Sequence, residues 1–102
     1  MSEPTQVQRT VDIREVFTAL MHEVAREDMP RLFAIVEEYG EGEDARVAGY
    51  GLAYADRAES NSVEGGFRLT SDCAENARKW YEINTDEAVR QVHLVWLDAT
   101  TP

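Results

Sequence analysis

Ile13, Val16, Phe17, Leu20 and Val24 stand at i, i+3, i+4, i+7 and i+11, and Met21 widens the stripe. That spacing returns to one side of a 3.6-residue helix over three turns and fits no strand. A helix of this length is marginal in water unless its apolar side is covered, so the pattern requires a surface to pack on. Asp12, three residues before Glu15, has capping-box logic at the start of this helix. Arg26, Glu27 and Asp28 close it, and Pro30 bars its continuation.

Leu32 to Tyr39 fits two periods. As a helix it would place Leu32, Ile35, Val36 and Tyr39 on one side, with Pro30 in the first turn and Gly40 just past the end. Glu37 and Glu38 would then lie at the negative end of the helix dipole, and Gly40-Glu41-Gly42-Glu43-Asp44 has the composition of a hairpin connection, so the strand reading is taken. From Arg46 to Ala55 the bulky Ala48, Tyr50, Leu52 and Tyr54 positions alternate with the small-residue side of Val47, Gly49, Gly51, Ala53 and Ala55. The small side would let the first helix approach closely, leaving the tyrosine side uncovered.

Ser60 to Glu64 reads as a weak strand, Gly65-Gly66 as a turn and Phe67 to Leu69 as its return. Ser71 or Asp72 followed by Glu75 signals a second helix, with Ala74, Ala77 and Tyr81 on its apolar side. Val92, Leu94 and Trp96 alternate with His93, Val95 and Leu97, apolar on both sides, which assigns this strand to the middle of a sheet. The expected fold is α+β: a mostly antiparallel sheet of about four to five strands packed against two helices, in the order α-β-β-(β-β)-α-β. Residues 1–10 read as a flexible arm, 11–98 as the single domain and 99–102 as a fraying tail.

At 102 residues there is room for one domain, and 43% hydrophobic with 29% charged residues describes a globular chain rather than a disordered one. Ten basic against twenty acidic residues give a formal charge of −10, with acids in excess in both halves, so no basic stripe exists for nucleic acid or anionic lipid. Neither partner is expected. The first residues show neither the basic leader nor the apolar core of a secretory signal, and Cys73 is the single cysteine, so a reducing cytoplasmic setting is expected.

Chemistry-bearing motifs fail on inspection. His22-Glu23-Val24-Ala25-Arg26 has the shape of a zinc-binding helix, but Arg26, a permanent cation, stands where the second histidine is needed. Cys73 near the start of the second helix could be an activated thiol if His93 reached it; a buried structural thiol is the simpler reading. Gly40-x-Gly and Gly49-x-Gly are too short to cradle a phosphate. No metal, cofactor or catalytic residue is expected.

Two contact features remain. Glu37, Glu38, Glu41, Glu43 and Asp44 put five carboxylates into eight residues; they keep a hairpin tip solvated, or would dock a basic partner as a row of phosphates would. Tyr50 and Tyr54 offer amphipathic rings to a protein partner or to a second copy of the chain. The expected function is a small acidic, non-enzymatic interaction or regulatory module that self-associates. The alternatives are an acidic decoy that blocks a basic site and a small ligand-binding or minor enzymatic domain.

Overall fold

Residues 31–39 are a strand. In the computed structural model, which describes residues 12–98, β1 (Arg31–Tyr39) pairs antiparallel with β2 (Asp44–Ala53) across a short connection in which Gly40 and Gly42 take φ of 63° and 70°. L side chains resist that backbone region, so the two glycines set the tight return. β3 (Ala58–Ser62), β4 (Arg68–Ser71) and β5 (Val89–Trp96) complete a five-stranded sheet, ordered β4-β3-β2-β1-β5 with all neighbours antiparallel. With α1 (Ile13–Glu27) and α2 (Ala74–Ile83) the chain runs α-β-β-β-β-α-β, an α+β fold. The arm and tail assigned to residues 1–10 and 99–102 lie outside the described residues. No helix among the described residues is long and apolar enough to cross a membrane.

The core lies between α2 and one side of the sheet. Ala74, Ala77 and Tyr81 of α2 pack on Phe33 and Ile35 of β1, Ala58 of β3 and Val92 of β5. Ala77 is fully buried and Phe33 is 0% exposed, its ring meeting Trp96 edge-on at 5.8 Å between centroids. Gly49 and Gly51 face this core because nothing larger fits. A Cβ on Gly51 would overlap the Phe33 ring and stand 2.8 Å from the Glu59 carbonyl oxygen; one on Gly49 would overlap the Tyr81 hydroxyl and stand 2.8 Å from the Asn61 carbonyl oxygen.

Five expectations change. The small side of β2 is covered by α2, not by the first helix. α1 packs on no described element and buries none of its residues, so of the two helices only α2 lies on the sheet. Its connection to β1 is Asp28, Met29 and Pro30, and the proline disfavours helical backbone at Met29, which ends α1 there. β5 is an edge strand rather than a central one, paired with β1 alone. Its two-sided apolar pattern arises because Val92, Leu94 and Trp96 serve the core while Val95 and Leu97 lie on a side that no described element covers.

The alternation in β2 also breaks. The register with β1 shifts between Ile35 and Val36, so Val47 pairs with Val36 while Ala48 packs against the core. Tyr50 and Leu52 keep the expected side. Cys73 is exposed rather than buried: it is the N-cap residue of α2, in place of the expected Ser71 or Asp72, and its side chain makes no cap hydrogen bond.

Tyr81 is 5% exposed, and neither its hydroxyl nor that of its neighbour Ser60 has a partner in hydrogen-bonding geometry. Burial raises the Tyr81 pKa, and the nearby Ser60 hydroxyl draws it part of the way back. An unpartnered buried hydroxyl costs stability, so deleting it relieves a penalty. Tyr81→Phe is expected to leave the unfolding free energy unchanged or raise it by up to about 1 kcal/mol, read from urea titrations. A loss of more than about 1 kcal/mol would mean that the hydroxyl is bonded in solution.

Candidate interaction site

The side of the sheet away from α2 is built by alternation. Phe33 and Ile35 face the core, so Leu32, Ala34 and Val36 face outward. Cross-strand pairing brings Leu52 beside Leu32, and Tyr50 and Val95 on either side of Ala34. Ala34 is only 2% exposed between these neighbours, while Tyr50 stands 47% exposed. Leu97 extends the row, its backbone N–H donating to the Leu32 carbonyl at 2.9 Å. The result is an apolar band across β2, β1 and β5 that no described element covers. Large uncovered apolar bands of this kind mark contact surfaces.

The second uncovered feature is α1. Asp12 caps it, the Arg14 N–H donating to the carboxylate at 3.0 Å, Glu15 lies in its first turn and Arg26 in its last. Those local terms favour the helix, but its apolar stripe stays in solvent: Met21 is the least exposed member at 48% and Ile13 the most at 78%. His22 lies opposite the stripe.

The carboxylates of the β1–β2 hairpin are spread over both sides of the sheet. Glu37 faces the α2 side, accepting from the Tyr39 hydroxyl at 2.8 Å and from the Thr85 hydroxyl at 3.0 Å. The Glu37 contact, aided by burial, raises the Tyr39 pKa. Glu41 pairs with Arg90 at 3.0 Å and Asp44 accepts from the Ala45 N–H at 2.8 Å. Glu43 stands beside Gly40 at the tip. Tyr54 is not on the apolar band: it follows β2, and the Arg57 guanidinium stacks 4.2 Å from its ring centroid.

Glu38 points to the uncovered side, where His93 Nε2 stands 2.7 Å from one carboxylate oxygen and the Gly42 N–H donates to the other at 3.0 Å. These contacts, His93 first, hold the Glu38 carboxyl below its ordinary range. A depressed carboxylate stabilises the fold above its unfolded pKa and loses that contribution as the pH falls through its folded pKa. The stability gap between the native chain and Glu38→Gln is therefore expected to be small but present near pH 7 and to close as the pH falls through the lowered Glu38 pKa, below the ordinary carboxylate range. Paired thermal melts from neutral pH downward would read it, and a gap that widened in acid would contradict this assignment.

Because His93 is on the uncovered side and Cys73 begins the helix on the other, the sheet separates the only cysteine from that histidine. Among the described residues no group of three or more His, Cys, Asp or Glu side chains is placed to hold a metal ion. One cleft among them opens beside the connection from α1 to β1, bordered by Met29, Arg31, Tyr54, Cys73 and Trp96. Arg31 closes one wall, stacked 3.8 Å from the Trp96 ring centroid and bonded to Asp98 at 2.7 Å.

Sequence reasoning places Tyr50 and Leu52 on this side but adds Tyr54 and misses Leu32, Val95 and Leu97 as their companions, and it assigns the α1 stripe to the chain's own core. The signal for the band is the two-sided apolarity of 92–97, which fits central burial equally well. No family model matches the chain, and neither a curated protein nor a solved structure matches it.

Proposed function

We propose that this chain is a small acidic, non-enzymatic interaction or regulatory module of the cytoplasm that works by self-association. One observation carries the reading: α1 holds six apolar side chains in solvent with no described element of its own chain against them. Leaving such a stripe wet forfeits roughly 1 kcal/mol or more for each large side chain, so a partner surface is the natural use of it.

Salt distinguishes this reading from capture of a cationic protein by the acidic hairpin. Two chains of formal charge −10 repel each other, so screening strengthens an apolar contact between them, whereas it weakens attraction to a basic partner. Light scattering on the purified chain is expected to give the mass of an oligomer at about 100 µM in ~0.15 M salt, held or tightened in ~1 M salt. A single-chain mass under both conditions would overturn the proposal.

A further inference from the structure

We propose that the partner is a second copy of this chain and that the two copies exchange α1, each laying its stripe across the other's apolar band. This rests on the self-association reading and adds its geometry. Each chain carries one uncovered helix face and one uncovered sheet face, and a two-fold pair satisfies both at once with identical contacts. The band is three strands wide, about 10 Å, so the helix fits it lengthwise: a 15-residue helix is about 22 Å long and the nine-residue β1 at the band's centre runs about 30 Å.

The width of the stripe favours a sheet over a paired helix. Val16 and Met21 broaden it beyond the narrow seam of a coiled coil, and it lasts only about two heptads where a stable pair needs three to four. Charges at the border agree as well. Glu23 and Glu27 flank one side of the stripe, and exposed Arg68, in the cross-strand row of Tyr50 and Asn61, enters no ion pair among the described residues. Two such contacts would bury on the order of 2,000 Å², the scale of a stable dimer. The proline-ended connection of Asp28, Met29 and Pro30 favours exchange over folding back, since short stiff hinges drive element swapping.

The test uses full-length chains with Cys73→Ser, one carrying Leu20→Cys and the other Tyr50→Cys. Both sites are solvent-exposed, so both variants keep the fold, which thermal melts verify. A bismaleimide spanning about 10 Å, the separation of packed layers, is added to each chain alone and to the mixture. Exchange is expected to give at least a ten-fold excess of the mixed product, position 20 of one chain joined to position 50 of the other, over either like-with-like product. Coupling of position 20 to position 20 as the main product would overturn exchange in favour of paired helices while leaving self-association standing. An oligomeric mass with no mixed product would likewise overturn exchange and leave self-association standing. In a third chain that carries both Leu20→Cys and Tyr50→Cys, internal closure at single-chain mass would overturn both proposals, as would a single-chain mass with no coupling in the mixture.

Discussion

Phe33→Ala is expected to lower the unfolding free energy by about 3–5 kcal/mol, enough to leave much of the chain unfolded at 37 °C. Phe33 is fully buried at the point where β1 crosses beneath α2, with Trp96 on one flank and the bare backbone of Gly51 on the other. Removing the ring empties space that this small core cannot refill, because its other members are Ile35, Val92, Tyr81 and three alanines. The same contact seen from the other side gives Gly51→Ala. Its new methyl would meet the Phe33 ring and a strand carbonyl at 2.8 Å, and backbone cannot rotate away as a side chain can. A loss of about 2–3 kcal/mol is expected, or a fall in Tm of ~10–20 °C. Urea titrations of both variants check this; an unchanged midpoint in either would mean that Phe33 does not sit under Gly51.

Phe17→Asp with Leu20→Asp should act in the opposite manner, with no effect on the sheet and a complete effect on association. Both residues are half exposed in the single chain, so the charges cost the isolated fold nothing in burial. In the assembled state each would be forced into apolar surroundings, and several kcal/mol for every buried unpaired charge corresponds to a loss of affinity of more than about 100-fold. Light scattering at about 100 µM should fall to the single-chain mass, while the melt of dilute protein stays where it is. A large drop in the dilute melting temperature would show α1 to be part of the chain's own core.

The class, the element order and the strand at 31–39 were legible because each rests on local chemistry. Gly40 and Gly42 sit where a hairpin needs positive φ, and Ala74, Ala77 and Tyr81 repeat at helical spacing over Phe33 and Ile35. What local chemistry could not supply was which surface answers which. The α1 stripe and the small side of β2 are complementary on paper, yet Tyr81 of α2 meets Gly49 and the Phe33 ring meets Gly51, and α1 touches no described element. Val95 and Leu97 belong on a covered strand by composition, but strand order is set by long-range pairing, and that pairing puts β5 at an edge. The bulge at Ala48 shifts one residue of an otherwise regular alternation, and no residue type there announces it. The acidic hairpin was legible as a cluster and illegible as a surface, since neighbouring strand residues point to opposite sides: Glu37 toward Thr85, Glu38 toward His93.

Hydrogen exchange along α1, followed by mass spectrometry as the protein is diluted, reaches the central claim most directly. A solitary 15-residue helix is marginal in water, so the amides of 13–27 are slow to exchange only while something holds the helix. Protection of that segment is expected at about 100 µM and should disappear on dilution, while β1 and β2 stay protected throughout. Protection of α1 that survives dilution would place its stripe inside its own chain, and exchange that is fast at every concentration would leave the helix without a partner; either result contradicts the association described above.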